Sequence, residues 1–536
     1  MTIPQLPTFN CSVYTKDSSE YQQYAYQYAS TSHPIKDMSP GAIITPSGTD
    51  LEIDADIKQA IKYARDNNLA IAVRTGGNQY SGLSSTASNN IQIDISQTFR
   101  DWEYTEKTGI LKVGVSYTLL EFNKKLEEMG LFMPTGQCYD VFVGGHVQTG
   151  GYGQLCRAFG LFSDQLISFD MYTADGKFIS VDAKSHPDLF FAVLGGGPGN
   201  YGVVTHIYIK PLKDSDHSQS RSFMQFVPYD LIKNTTVLQE LFQLTIDWKN
   251  APGDYDFSLT VTSAEENWLL NQTGFASKDD YMCTYFGKNF SSPFEVLLVY
   301  FQFSDNGTAY DKKWCDQIKK ILDKAFEHPK SILKAIELDA VKLLSIRCND
   351  NVVTPISKAV NTLWTYKGTR EFNYPYMKNG QVTNEVAQKD WPTWAVGRID
   401  QMLGRGKEGL MLFCQCQCFG GEDSAYFKNK KNGTAYAWRD VNVGYNLDVF
   451  YDPTINGSLE KATAWQSINH SEGVGEKGKF SIESHRWFWA THGNLNMSES
   501  WSNYYSEADY KRCLDIKQTT DASGIFSPNK FVPTKL

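Results

Sequence analysis

Six of the twenty residues at positions 134–153 are glycine, in a chain where glycine accounts for 41 of 536 residues. Clustering on that scale constrains the fold more than any other feature of the sequence. Without Cβ atoms, backbone N–H groups can close on a phosphate or a planar ring, and the chain can enter positive φ. Two shorter clusters accompany it, Arg74-Thr-Gly-Gly-Asn-Gln-Tyr-Ser-Gly82 and Gly197-Pro-Gly-Asn-Tyr-Gly202. The latter has the G-x-G-x-x-G spacing of a dinucleotide-binding turn, but that use needs a strand before it and a helix after. Here the order is reversed. Residues 188–194 read as helix, and Val203, Thr205, Ile207 and Ile209 alternate as a strand. The nicotinamide reading therefore fails on context, and no GxxxxGK[ST] loop is present.

Around these clusters the periodicity predicts a mixed domain. Ile57, Ala60, Ile61 and Ala64 fall at helical spacing within residues 54–67, and residues 69–73 read as a buried strand running into the first glycine turn. Ile91, Ile93 and Ile95 alternate as a strand, as do Leu111, Val113 and Val115. Leu119, Phe122, Leu126 and Met129 lie on one helical face that stops at Gly130, and Asp175-Gly176 is a hairpin turn. Residues 1–212 thus read as one α+β lobe and residues 213–478 as a second. In the second lobe, helices are expected at 312–327 and 334–346, and antiparallel strands within 411–452. Residues 479–536 are expected to return to the first lobe.

The charge balance of 51 basic against 60 acidic residues, net −9 with no run of like charge, argues against nucleic acid or an anionic membrane as partner. A small-molecule partner is expected; oligomeric state is not readable. No run of about 18 apolar residues and no basic-then-apolar leader occurs, so neither a spanning segment nor a secretory signal is read. Ten cysteines without a CxxC pair do not form a disulfide scaffold. The end, Thr534-Lys535-Leu536, is similar to the Ser-Lys-Leu peroxisomal address with its first residue changed. An intracellular protein is expected, with the peroxisome as the compartment that tail would indicate.

Taken with Ser163-Asp164, the three glycine clusters resemble the flavin-binding half of the p-cresol methylhydroxylase (PCMH) and vanillyl-alcohol oxidase superfamily, and within it the berberine bridge enzyme-like oxidases. The resemblance covers residues 46–212 and resumes at 413–421 and 489–533. It implies a two-lobed α+β fold: a PCMH-type FAD-binding domain, and a substrate domain with an antiparallel β-sheet covered by helices. It also implies FAD as cofactor. The positions matching the family's flavin-binding turns are Arg74, Thr75, Gly76, Gly77, Asn78, Gln79, Ser81 and Gly82. In the next cluster they are Gly136, Cys138, Val141, Gly144, Gly145, His146, Gly150, Gly151 and Gly153, followed by Asp164, Gly202 and Val203.

Carried over position by position, the family's turn histidine, which bonds the flavin, is here Asn78, whose amide cannot form that bond. The family's second attachment point is present as Cys138, eight residues before His146, so the resemblance implies at most a single thioether; a lone cysteine otherwise packs in the interior. His146 matches the histidine that touches the flavin and helps hold its reduced form. Val141 stands where valine accompanies oxidases and bulkier residues accompany dehydrogenases, while Phe142 replaces a usual glycine. On the substrate side, Gln417 occupies the place of a frequent Asp or Glu. Strand alternation puts it on one face with Phe413, Gln415 and Phe419, and Cys414, Cys416 and Cys418 on the other. Where the family has its catalytic tyrosine, the segment Trp489-Ala-Thr-His-Gly-Asn-Leu-Asn496 offers His492. An imidazole titrates near pH 6.5 against about 10 for a phenol, and can accept a proton near neutrality without a carboxylate to activate it. Seven tryptophans between 391 and 501 could wall a substrate site or fill the second core.

The expectation is an FAD-dependent oxidase in which His492, oriented by Gln417, takes a proton from an alcohol or secondary metabolite. Hydride passes to the flavin, and dioxygen reoxidises it to give hydrogen peroxide. The alternatives are a carbohydrate (oligosaccharide) oxidase and a flavin- or ligand-binding protein of the same fold without redox turnover. No metal site is expected.

Overall fold

The computed structural model describes residues 3–27, 35–79, 82–138, 140–229, 232, 235–263, 294–302, 311–327, 356–359, 376–377, 380–383, 390–402, 405–473, 479–480, 485–486, 496–530 and 532–533. The helix expected at 334–346 lies outside these residues.

The first lobe is built on two sheets. In one, β1 (Ser12–Tyr14), β2 (Ala42–Thr45), β3 (Ile71–Arg74) and β4 (Ile91–Asp94) lie in the order β1-β2-β4-β3, with β2, β4 and β3 parallel. A parallel strand is covered on both faces, which is why every residue of β4 is buried although its sequence alternates. Helix α1 (Asp50–Asp66) covers this sheet with Ile57, Ala60, Ile61 and Ala64. It starts at a capping box in which Thr49 accepts the Glu52 N–H and Glu52 reaches back to the Thr49 N–H. The second sheet is antiparallel and contains β5 (Trp102–Thr105), β6 (Ile110–Gly114), β7 (Leu166–Tyr172), β8 (Phe178–Asp182) and β9 (Val203–Ile209), in the order β5-β6-β9-β7-β8. The β7–β8 hairpin turns at Gly176, whose φ of 81° is the conformation glycine tolerates best. Helix α2 (Leu119–Glu128) has a second capping box, from Thr118 and Glu121, and buries Leu119, Phe122 and Leu126. Each such side chain contributes about 1.5–3 kcal/mol over its exposed state. Helix α3 (Val143–Gln148) carries His146, and α4 (Pro187–Val193) precedes the third glycine cluster.

The second lobe is an antiparallel sheet with helices on one face. Strands β10 (Arg221–Pro228), β11 (Tyr255–Ser263), β12 (Phe294–Gln302), β13 (Tyr376–Met377), β14 (Gly380–Thr383), β15 (Leu410–Cys418) and β16 (Val443–Tyr451) run in the order β10-β12-β11-β15-β16-β13, with β14 also on β16. Cys414, Cys416 and Cys418 point into the core beneath α5 (Val237–Asp247), α6 (Lys313–Glu327) and α7 (Trp391–Asp400), together with Leu259, Val261 and Leu447. Burial pushes the Cys416 thiol up to about 12. The row of cysteines is core packing, and no cluster of metal-ligating side chains occurs among the described residues.

The chain end closes on the first lobe. Tyr510, Cys513 and Ile516 of α8 (Glu507–Thr520) join its core, and the Ile71 N–H donates to the Ile525 carbonyl at 2.6 Å. The two lobes are tied by buried polar contacts. The Arg157 guanidinium donates to the carbonyls of Ala251, Pro252, Tyr255 and Gly420 at 2.5–3.0 Å. Asp164 pairs with Arg439 through two bonds of 2.9 and 2.7 Å. Among the described residues no helix is long and apolar enough to cross a membrane.

Candidate active site

Where β3 ends, the chain turns through Thr75-Gly-Gly-Asn-Gln79, and these residues form one wall of a cleft between the lobes. Arg74 does not face it. Its buried guanidinium pairs with Asp94 and donates to the Tyr26 carbonyl at 3.2 Å, which anchors the turn from behind. Gly77 has φ of 67°, and a Cβ there would meet Arg74 Nε at 2.8 Å. With its amide oriented to satisfy its neighbours, Asn78 donates to the carbonyls of Gly76 and Asp140 at 3.0 Å each, so its polar reach is spent within the loop.

A second wall comes from residues 136–153. His146 Nε2 accepts the Gly136 N–H at 2.9 Å, which places its proton on Nδ1. Burial pushes the imidazole down to about 3, so it is uncharged at neutral pH. Glycines leave room for this ring, since a Cβ on Gly151 would come within 3.2 Å of it and one on Gly136 within 2.9 Å. Unfolding releases a histidine that titrates near 6.5. Between about pH 6.5 and 3 the unfolded chain therefore holds a proton that the folded one lacks, and this group's contribution to stability falls by about 1.4 kcal/mol per pH unit on acidification. Urea unfolding across that range should show a shallower acid loss for His146→Gln than for the parent. Equal slopes would mean that the folded ring takes up the proton.

The floor is the face of β15 opposite the cysteines. Phe413, Gln415 and Gln417 line the cleft, as the alternation predicts, whereas Phe419 turns into a small cluster with Tyr426. Gln415 Nε2 donates to Gln137 Oε1 at 3.2 Å, and Gln417 Nε2 donates to the Gly153 carbonyl, so both amides bridge the lobes.

The cleft thus gathers Thr75, Gly76, Gly77, Asn78, Gln79, Gly136, Cys138, Val141, Gly144, Gly145, His146, Gly153 and Gln417. Cys138 is half-buried and outside any disulfide. Gly82, Gly150, Gly151, Gly202 and Val203 sit beside or behind the lining, and Asp164 serves the lobe contact. Ser81 and His492 lie outside the described residues. Of the seven tryptophans, Trp391 and Trp465 are core, Trp394, Trp438 and Trp501 pack against apolar clusters, and none of these five lines the cleft. Trp487 and Trp489 lie outside the described residues. Sequence reasoning missed Gln148, whose Oε1 accepts the Gly199 N–H at 3.1 Å while its Nε2 donates to the Gly144 carbonyl at 2.9 Å. These bonds bring Pro198 and Gly199 of the third glycine cluster to the cleft; the signal for them was the cluster itself.

Residues 51–182 match the family model described as an FAD binding domain. The chain carries an FAD-binding domain. The FAD-linked oxidoreductase penO of Penicillium crustosum is 34% identical over 171 residues, 32% of this chain and 36% of that protein. The match spans about a third of the relative's own length. Two solved structures share the whole fold. Berberine bridge enzyme-like 1 of Physcomitrella patens has a TM-score of 0.67 at 17% identity, covering 98% of both chains. Berberine bridge enzyme of Eschscholzia californica has a TM-score of 0.67 at 18% identity, covering 98% of this chain and 97% of that one. The two-lobed α+β fold that the resemblance implies is the one observed.

The FAD-binding domain's cleft fits a flavin. A Cβ at Gly145 would meet nothing nearer than Gln79 Nε2 at 3.5 Å, so this glycine opens directly onto the space a ring would fill. Gln79 Oε1 and Gln417 Oε1 are buried without a hydrogen-bond partner.

Proposed function

We propose that the protein is an FAD-dependent oxidase acting on a small organic molecule, an alcohol or a secondary metabolite. The carrying observation is the shared cleft, which the glycine wall of the FAD-binding domain and Gln415 and Gln417 of the second lobe line together. Bound there, FAD would accept a hydride from the substrate and pass two electrons to dioxygen, giving hydrogen peroxide. Thr75, Gly76, Gln79, Gly144 and Gly145 would hold the cofactor, with Val141 leaving oxygen a path to it. Cys138 supplies the single attachment, a thioether that replaces the thiol hydrogen and one ring hydrogen, the two electrons leaving with dioxygen. His146, kept uncharged by burial, holds the loop through Gly136. His492 takes the substrate proton; the amide of Gln417 has no basic lone pair for that task and positions the substrate instead.

The test is a visible spectrum of the purified protein before and after acid precipitation, with mass spectrometry of the pellet. Yellow protein whose flavin stays in the pellet on the peptide containing Cys138 is expected, and Cys138→Ala should release the flavin to the supernatant. Anaerobic bleaching by substrate and recovery in air with hydrogen peroxide would establish the oxidase. A protein that dithionite alone reduces would be a binder without turnover, and one that takes up no FAD would sink the reading.

A further inference from the structure

Gln148, the last residue of α3, is buried, and its amide is committed at both ends. Its Nε2 donates to the Gly144 carbonyl at 2.9 Å, its Oε1 accepts the Gly199 N–H at 3.1 Å, and its own carbonyl accepts the Gly195 N–H at 3.0 Å. Gly144 in turn packs on the first glycine turn, since a Cβ there would come within 3.1 Å of Thr75 Cγ2. One residue thus fastens together three glycine segments that lie far apart in the sequence.

The third cluster is also held by contacts that do not involve Gln148. The Lys517 ammonium of α8 donates to the Asn200 carbonyl, the Asn200 amide donates to the Gly196 carbonyl at 3.1 Å, and the Tyr505 hydroxyl donates to the Gly195 carbonyl at 2.5 Å. These bonds anchor the loop in the fold independently of the glutamine. What the glutamine adds is on the cleft, where Gln148, Pro198 and Gly199 all line the wall. That stretch of wall belongs to the first lobe: a Cβ on Gly199 would lie 3.2 Å from Val73 Cβ, and Val73 lines the cleft as well. The second lobe reaches the lining elsewhere, through Gln415 to Gln137 and Gln417 to Gly153.

Resting on the oxidase reading above, the flavin ring must lie where the two lobes meet, so the rest of an elongated FAD extends along the first-lobe wall. We propose that Gln148 is a positioning residue for the adenosine half of the cofactor. By drawing the Gly199 backbone onto the wall of Thr75 and Gly144, it fixes the rim on which that half rests. It thereby sets the preference for FAD over FMN, which has the same ring and ribityl phosphate but lacks the adenosine monophosphate. Without the amide, the buried Gly199 N–H and Gly144 carbonyl lose a partner, and a rim no longer held in place must be ordered at the expense of binding.

The experiment uses the full chain carrying Cys138→Ala, which keeps the flavin exchangeable, and titrates it by calorimetry with FAD and with FMN, with and without a change at Gln148. Gln148→Met keeps the length of the side chain and loses both of its bonds; Gln148→Asn keeps an amide that is one methylene too short to span them. Each variant is expected to bind FAD at least about tenfold more weakly, while its affinity for FMN moves by less than about twofold. A merely structural role would lower both affinities alike, so an equal fall for the two flavins overturns the inference, as does parent-like FAD affinity in either folded variant. FMN bound as tightly as FAD by the Cys138→Ala protein itself, which needs no change at Gln148, also overturns it. Protein that takes up no flavin fails the oxidase reading before any variant is compared, whereas a flavoprotein whose Gln148 variants lose FAD and FMN equally fails only the inference.

Discussion

Asp164→Ala is expected to destabilise the protein by about 3–5 kcal/mol, the cost of leaving one member of a buried ion pair without its partner. Both carboxylate oxygens are fully engaged. One accepts from Asn432 and Arg439; the other accepts from the Leu161 N–H at 2.9 Å, from Asn429 at 3.1 Å and again from Arg439 at 2.9 Å. The Asp164 and Arg439 side chains are 1% and 3% exposed, so water would not replace the lost carboxylate. The same strap of the second lobe is pinned nearby where the Ala435 N–H donates to Phe191 and Leu194 carbonyls at 3.0 and 2.9 Å. Denaturant unfolding checks the size of the effect, and its origin is checked by the double variant Asp164→Leu with Arg439→Met. With both charges gone, most of the loss should return, since a buried pair contributes little over apolar residues of similar volume. A loss below about 1 kcal/mol in the single variant would mean that solvent reaches the guanidinium.

For His492→Ala the expected result is protein that keeps its flavin but is reduced by substrate some 10²- to 10⁴-fold more slowly, the usual weight of a general base. The parent's rate should rise with pH as the base loses its proton, and the variant should lose that dependence. Anaerobic stopped-flow reduction across pH 5–8 reads both. Undiminished reduction would remove His492 from the chemistry and return attention to the side chains that line the cleft.

The glycine turn within 74–82, the strand read at 69–73, the helix read within 54–67 and the apolar helical face ending at Met129 were legible in the sequence, because their signals are local. An apolar helix face repeats within two turns, and a glycine just past its last residue marks where it stops. The same holds for β15. Its alternation placed the three cysteines in the core and Phe413, Gln415 and Gln417 on the other face. Phe419 departs from that pattern because the strand ends at Cys418, and beyond it the chain is no longer pleated.

Asp164 shows where local reading stops. The resemblance implied a cofactor contact for it, and in the structure its carboxylate pairs with Arg439, 275 residues away. Arg74 likewise sits in the flavin-binding turn by sequence but turns inward to Asp94. Gln148 gave no signal by itself, since its role of joining two glycine loops arises only once those loops lie side by side. The sequence by itself determined the elements, the faces they bury and the glycine wall that suits a flavin, because spacing within one turn or one strand decides those. Only the tertiary structure decided that the wall meets the Gln417 face, that no charged side chain among the described residues lines the cleft between them, and which buried charges hold the lobes together. Those outcomes depend on contacts such as Gln417 to Gly153, 264 residues apart, whose partners are chosen by packing rather than by anything in the neighbouring chain.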